Sequence, residues 1–407
     1  MSPLRFCFPT TFYPPYSFGG DAVGVQRLAR ALVRRGHEVT VVHDMDAYTT
    51  LHDGPMPQAP RRDDGVEVIS LESRLGPIAV LLAQQTGRPT VHRRTLTDLL
   101  DNGKFDVINY HNSSLVGGPG LFSYGAAAAK VFMAHEHWLV CPTHVLWRHN
   151  RELCDARQCT RCQIRYHRPP QLWRHTGHLV EQLKNVDLFI AMSEFSRQKH
   201  YEFGFPHEME VLPYFLADPD PDPATDSVPE PPPHARPYFL FVGRLEKIKG
   251  LDSVIPVFRD YPDADLLIAG DGNYADTLKA LAVGAKGVKF LGRVALDSLT
   301  EYYQHAIATI VPSVCYETFG IILIESFKQR TPVIARNLGP FPEIVSASGG
   351  GEVFDTQADL LLSMRRLQSD PAYRETLAAN GYNGYATRWS ESAVVPRYLE
   401  MVESVRR

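Results

Sequence analysis

The chain alternates short apolar runs with amphipathic stretches from its start. "RFCF" (5–8) reads as a strand and "GDAVGVQRLARALVRRG" (20–36) as the helix after it. Val23, Leu28, Leu32 and Val33 recur there at helical spacing on one face, and Gly36 closes the helix. "HEVTVV" (37–42) is the next strand, so the opening is a β–loop–α–β unit. "DVINYH" (106–111), "KVFMAH" (130–135) and "DLFIAMS" (187–193) continue the series. Strands alternating with helices predict a parallel, doubly wound sheet covered on both faces. After residue 237 the pattern restarts: "YFLFVG", a helix from "GLDSVIPVF", "ADLLIAG", "VKFLG", "ATIVPS", a helix after Gly320, and "TPVIAR". The last stretch, "SESAVVPRYLEMVESVRR", predicts a helix with Ser390 as its N-cap.

Between the two series lies "ADPDPDPATDSVPEPPPHARP" (217–237), proline-rich, acidic and without period, which reads as a stiff solvated linker. The expected organisation is therefore α/β throughout. Residues 1–216 form one Rossmann-like domain, 217–236 a linker and 237–385 a second such domain. A C-terminal helix in 386–407 crosses back to the first. A length of 407 residues agrees with two cores rather than one. A net charge of −4 gives no global argument for nucleic acid. The longest apolar pieces, such as "PIAVLLA", fall short of a membrane span. "MSPLRFCF" enters a strand with no leader pattern. The expectation is a cytoplasmic protein, peripheral at most to the inner face of a membrane, with no nucleic-acid partner.

In open α/β sheets ligands bind beyond the carboxyl ends of the strands, and the chemically suggestive residues follow apparent strands. "RLEKIKG" puts Arg244 and Lys249 on one loop after "YFLFVG"; "DGN" brings Gly270, Asp271 and Gly272 after "LLIAG"; Arg293 follows "VKFLG". Two cations on one loop suit a diphosphate, although Glu246 between them can make the loop self-paired. "CYETFGIILIESF" (315–327) sets Glu317 ahead of a helix that starts at Gly320 and Glu325 inside it. A helix start offers unpaired amides and a positive dipole to an anion. Eight helical residues would part the two carboxylates by roughly 12 Å and about 80° of rotation, too far for a hydrolase pair. The spacing suits hydroxyl-bearing groups on either side of an anchored diphosphate.

Taken together, "GRLEKIKGLD", "LLIAGDG", "FLGRV", "PSVCYETFGIILIESF" and "TPVIARNLGPFPEIV" resemble the C-terminal domain of the retaining GT-B glycosyltransferases of family 4. "YPPYSFGGDAVGVQRLARALVRRGHEVTVV" and "VFMAHEHW" resemble its N-terminal domain. The resemblance implies a GT-B fold and a hexosyltransferase (EC 2.4). Its donor would be a UDP- or GDP-linked sugar, and its acceptor a hydroxyl on a glycan, a lipid-linked or a small-molecule glycoside. A sugar-nucleotide 2-epimerase and a non-catalytic sugar-nucleotide-binding protein are the alternatives on this fold. By resemblance Glu325 binds the ribose, Glu317 the transferred sugar, and Arg244 and Lys249 the leaving diphosphate. The amides near Phe319 and Gly320 take a phosphate oxygen, and Gly270, Asp271, Gly272 and Arg293 line the nucleotide. Gly19 and Gly20 allow close approach, and His135 faces the reacting sugar; His111 is a weaker candidate. No catalytic metal is implied. Two departures stand out: Arg330 replaces the usual glycine before "TPV", and "LPYFLAD" replaces an Asn-Gly segment.

Four of six cysteines fall in "CPTHVLWRHNRELCDARQCTRC". Cys159-x-x-Cys162 is a chelating turn, and with Cys141 and Cys154 it can close a structural zinc site. Two disulfides, a three-cysteine site completed by His144 or His149 with Cys141 merely buried, and an iron–sulfur cluster are the alternatives. The insertion, 141–178, is also basic and aromatic (Arg148, Arg151, Arg157, Arg161, Arg165, Arg168 and Arg174 with Trp147, Tyr166 and Trp173), opposed only by Glu152 and Asp155. A peripheral membrane or anionic acceptor is the partner such a patch fits.

Overall fold

Residues 2–57, 62–219 and 231–406 are described by a computed structural model, in which they form two units. The N-terminal unit runs to Tyr214 and takes in the chain from Val394 onward; the C-terminal unit is Phe215–Ala393. Of the expected linker, residues 220–230 lie outside the described residues.

The N-terminal unit is built on β1 (Arg5–Pro9), β2 (Glu38–Asp44), β3 (Arg62–Asp63), β4 (Val66–Leu71), β5 (Val107–Tyr110) and β6 (Ala129–Ala134). After a hairpin of β7 (Trp147–Arg148) and β8 (Glu152–Leu153) come β9 (Leu188–Ala191) and β10 (Glu210–Val211). The sheet order is β10-β9-β6-β5-β1-β2-β4-β3, parallel except for β3. β5, β6 and β9 are buried along their whole length, which is what near-continuous apolar runs require in a sheet covered on both faces.

The first helix, Gly20–Arg34, ends as expected: Gly36 has φ +86° and its N–H bonds the Val33 carbonyl at 2.9 Å. Its buried face is centred on Val25, Leu28, Ala29 and Leu32, with Val23 and Val33 only half-buried. The small Gly24 turns that face inward, because a Cβ there would press into the Tyr214 ring at 2.5 Å.

The C-terminal unit has β11 (Tyr238–Val242), β12 (Asp265–Ala269), β13 (Val288–Gly292), β14 (Thr309–Val311), β15 (Val333–Arg336) and β16 (Gly351–Phe354). All are parallel, in the order β13-β12-β11-β14-β15-β16. The helix expected from "GLDSVIPVF" is instead two short 3-10 turns, Leu251–Ser253 and Ile255–Arg259. Pro256 has no N–H for an α-helical bond and ends the first turn. The final helix is Glu391–Val405, and Ser390 does not cap it: its hydroxyl donates back to the Ala386 carbonyl at 2.7 Å. Among the described residues no helix is long and apolar enough to cross a membrane.

Arg330 adopts the left-handed conformation that a glycine would take, at φ +57°, and its guanidinium lies over the Tyr382 ring at 3.7 Å. The stacking offsets the roughly 1 kcal/mol cost of a side chain in that region. Arg330→Ala keeps the strain and loses the contact, so a fall of about 1 kcal/mol in unfolding free energy is expected. An unchanged urea midpoint would show the stacking to be idle.

Candidate active site

Because β11 to β14 are parallel, the loops that follow them leave from one edge of the sheet. Backbone hydrogen bonds stack those loops side by side. Gly243 donates to Ala269 (3.1 Å), Leu245 to Asp271 (2.9 Å), Gly270 to Gly292 (2.7 Å) and Val314 to Ile248 (2.8 Å). Two glycines make this stacking possible. Gly270, at φ +147°, would put a Cβ on the Gly243 carbonyl, and Gly250, at φ +72°, would put one on that of Pro312.

On this platform the structure divides the two expected cations. Lys249 Nζ donates to Glu317 Oε1 at 2.6 Å, and the Ser313 hydroxyl donates to the same oxygen at 3.1 Å. Arg244 pairs instead with Glu246 at 2.9 Å and is more than half exposed, so that part of the loop is self-paired. Burial opposes ionisation of Glu317, but Lys249, Ser313 and Arg244 outweigh it and hold the carboxyl below its usual range. Burial likewise opposes the Lys249 charge, and Glu317 with its hydrogen bond holds the ammonium above the usual range. The pair is thus ionised at neutral pH.

The helix Ile321–Lys328 starts at Gly320, whose φ of 172° is extended backbone, with Phe319 buried just before it. Glu325 is on the helix's second turn and accepts the Tyr303 hydroxyl at 3.4 Å. Arg293 is mostly exposed and reaches Asp271 only at 3.9 Å.

Gly19, Gly20 and His135 belong to the N-terminal unit. Gly19 is the N-cap of the first helix, with φ −148° and ψ 173°, which any residue can adopt. What a side chain there would meet is the Asp21 carboxylate at 2.8 Å. His135 follows β6 and is tied at both nitrogens: Nδ1 to the Tyr214 hydroxyl at 2.5 Å, Nε2 to His111 Nδ1 at 2.8 Å. Burial lowers the His135 pKa to about 4 and sends His111 well below its usual value, with His135 adding to the second shift. Both rings are neutral at pH 7, so neither brings a charge to this end of the sheet. Tyr214 comes from the "LPYFLAD" departure, and its contact with His135 spans 79 residues; no local pattern announces it.

Asp44 and Asp46 have Asp-x-Asp spacing. With His92 they are the only set of three ligand groups within 4.8 Å of one another among the described residues. Each carboxylate has a structural duty. Asp44 caps the helix Met45–Leu51 through the Ala47 N–H at 2.9 Å. Asp46 accepts the Ser73 N–H at 3.0 Å and hydroxyl at 2.6 Å, and pairs with His92 Nε2 at 3.0 Å.

Comparison with known proteins adds to this geometry. Residues 18–216 match the family described as Glycosyltransferase Family 4, and residues 224–384 match Glycosyl transferases group 1. The chain belongs to glycosyltransferase family 4. An uncharacterized glycosyltransferase of Methanocaldococcus jannaschii is 24% identical over 95% of each chain. Among solved structures, sucrose-phosphate synthase from Thermosynechococcus elongatus superposes with a TM-score of 0.72 at 19% identity, over 98% of each chain. HepE of Anabaena, solved in complex with UDP, does so with 0.66 at 17% identity, over 98% of this chain and 100% of that one. The two parallel-sheet units are those of the GT-B fold, and the protein is a glycosyltransferase of the hexosyltransferase class.

In this glycosyltransferase the cysteine-rich insertion forms a substructure of its own. Cys141, Cys154, Cys159 and Cys162 line one cavity of about 20 Å³, together with Thr143, Trp147 and Gln158. None of the six cysteines is in a disulfide in this structure. Burial and the three neighbouring cysteines push the Cys154 thiol up to about 11. The sulfurs ring the cavity rather than close on a point, since no three of them lie within 4.8 Å of one another. His149 contributes its backbone N–H to Cys162 Sγ at 3.2 Å and turns its ring to Gln158, while His144 pairs with Glu136. Neither histidine closes a set of three ligand atoms within 4.8 Å with the cysteines.

A second, larger cavity of about 610 Å³ adjoins the first, sharing Pro142, Gln158 and Cys159 in its lining. It is lined by Arg157, Arg161, Arg174 and His175 on one part and by apolar Leu179 and Phe205 on another. The basic stretch is not uniformly free: Arg148 is paired with both Glu152 and Asp155.

Proposed function

We propose that this glycosyltransferase moves a hexosyl group, with retention of configuration, from a UDP- or GDP-linked sugar to a hydroxyl acceptor. The Lys249–Glu317 ion pair, set just before the helix that starts at Gly320, is the observation that carries the reading. Breaking a sugar–phosphate bond develops negative charge on the diphosphate and positive charge on the anomeric carbon. Lys249, Arg244 and the first amides of the helix Ile321–Lys328 supply preorganised positive potential for the first. Glu317, kept ionised by Lys249, is assigned to the hydroxyls of the transferred sugar, and Glu325 to the ribose. Gly270, Asp271, Gly272 and Arg293 are assigned to the nucleotide, and Gly19, Gly20 and neutral His135 to the reacting sugar and its acceptor. UDP bound to HepE supports a nucleoside diphosphate as the leaving group.

The acceptor we assign is an anionic or amphiphilic glycoside. The 610 Å³ cavity supports this, because arginines share its lining with apolar side chains. Exposed Ile164, Leu172 and Val180 beside the same arginines fit an acceptor carried at a membrane surface.

A thermal-shift panel of UDP-, GDP- and ADP-sugars tests the donor. A ligand at 100-fold its Kd stabilises by about 2.7 kcal/mol, so one nucleotide series is expected to raise the midpoint by roughly 5 °C. No shift with any of the three would refute the proposal. Nucleotide release from the stabilising donor in the absence of acceptor would point to the epimerase instead.

A further inference from the structure

Outside the catalytic machinery, the insertion between Cys141 and Cys162 has features that packing alone does not explain. Four of the eight non-glycine residues with positive φ among the described residues lie here, His144 (76°), Leu146 (47°), His149 (55°) and Asn150 (58°), and a fifth, His167 (55°), follows five residues later. Each costs on the order of 1 kcal/mol and persists only where its surroundings over-determine it. The local scaffold is slight, a hairpin of two-residue strands, β7 and β8, and a helix of seven residues, Cys159–Arg165.

The four cysteines come from three places in this scaffold. Cys141 follows the 3-10 turn His137–Leu139, Cys154 follows β8, and Cys159 and Cys162 occupy the first turn of the short helix. They face one cavity with room for a single ion and no more. Cys162 Sγ accepts the His149 N–H, and Cys141 Sγ lies 3.3 Å from the Thr143 hydroxyl, the outer hydrogen bonds that orient thiolate ligands.

A second observation concerns charge. The Arg174 guanidinium is stacked at 4.7 Å from the Trp173 ring centre and 5.4 Å from that of Trp138, and it donates to Gln171 and to the Trp138 carbonyl. No carboxylate pairs with it among the described residues; the potentially anionic groups near it are Cys141 and Cys159. Four neutral thiols leave that cation uncompensated.

We infer that Cys141, Cys154, Cys159 and Cys162 bind one structural Zn²⁺ as four thiolates, which pins the insertion and places a net negative charge beside Arg174. Binding exchanges the four S–H protons for the ion and releases them to solvent, with no change of oxidation state. Zn–S bonds of about 2.3 Å set the sulfurs roughly 3.8 Å apart, so the ion draws the ring of sulfurs inward about its cavity. An all-sulfur tetrahedral set selects zinc or an iron–sulfur cluster, and the small cavity favours the single ion.

Protein made without a histidine tag in zinc-supplemented medium is expected to contain about one zinc per chain by elemental analysis. Cys159→Ser with Cys162→Ser should lower this at least fivefold, and Cys315→Ala should leave it unchanged. Cobalt(II) reconstitution of the wild-type chain should give the thiolate charge-transfer bands and the intense visible bands of a tetrahedral site, which keeps the test open if the double variant does not fold. Metal-free folded protein that also fails to bind cobalt would overturn the inference. So would two disulfides by mass spectrometry, or iron in place of zinc.

Discussion

Glu317→Gln is expected to lower sugar transfer by about 10²–10³-fold, the usual cost of removing one preorganised electrostatic partner of a transition state. The nucleoside diphosphate should stay bound within roughly fivefold, which is about 1 kcal/mol. The amide keeps the shape of the carboxylate and can still accept the Ser313 hydroxyl, so what is lost is the charge. Lys249 then has no carboxylate partner in a position three-quarters buried. Breaking one side of a buried pair costs 3–5 kcal/mol; with about a quarter of each side chain exposed, a loss of about 2 kcal/mol in the free enzyme is the better expectation. Bound diphosphate would supply the missing negative charge, so a nucleotide should restore part of the variant's lost thermal stability. Lys249→Met is expected to behave in the opposite sense, weakening nucleotide binding along with the rate. Titration calorimetry with UDP and GDP, set beside steady-state transfer, separates these patterns. If transfer and nucleotide affinity fall together in Glu317→Gln, the carboxylate belongs to nucleotide binding and its assignment to the sugar is wrong.

The elements that periodicity and length define were legible in the sequence: the long apolar strands, the helix closed by Gly36, and the loops leaving the strand ends. Where the sequence misled, a local competitor was decisive. Pro256 broke an apparent helix into 3-10 turns, and the Ser390 hydroxyl turned back to the previous helix instead of forward. Arg330 showed the reverse case, since a non-glycine did take the left-handed turn because Tyr382, more than fifty residues on, lay under its guanidinium. β4 and β16 went unread because their faces are mixed rather than uniformly buried. In the candidate site, Lys249 and Glu317 could be named from their loops, and Glu246 as a partner for a cation within its own loop, but not the contact of Lys249 with Glu317 across 68 residues. The chain of Tyr214, His135 and His111 was hidden for the same reason. Contacts between distant segments are set by sheet order, and one sequence does not encode that order in any short window.

That buried histidine chain is part of the second large effect, the loss of the N-terminal unit in mild acid. His43, His135 and His200 each have a pKa lowered by burial to about 4, and His111 lies well below its usual value. All four belong to the N-terminal unit. Above pH 6.5 these rings are neutral in both folded and unfolded chains and titration costs nothing. As pH falls toward 4 the unfolded chain takes up protons that the native rings refuse, so stability declines through that window. At 1.36 kcal/mol per pKa unit, each of the three contributes a loss of about 3 kcal/mol by pH 4. Asp44 works against them. Burial raises its carboxyl to about 6, so the native state gains a proton there before the unfolded chain does and recovers about 3 kcal/mol. The balance, a loss of roughly 6 kcal/mol before His111 is added, is comparable to the whole stability of a domain. In the C-terminal unit the depressed Glu317 keeps its contribution down to about pH 4, and the raised Lys249 keeps its own throughout acid. The N-terminal unit is therefore expected to unfold between pH 6 and 4 while the C-terminal unit still binds nucleotide. Trp138, Trp147 and Trp173 report on the first unit and Trp389 on the second, so fluorescence and nucleotide titration across that range follow the two separately. Replacing His200 by glutamine, which can keep the bond to the Ser196 carbonyl, should move the first transition to lower pH. A single transition below pH 4, shared by both units and unmoved in that variant, would mean that the buried rings are protonated without cost.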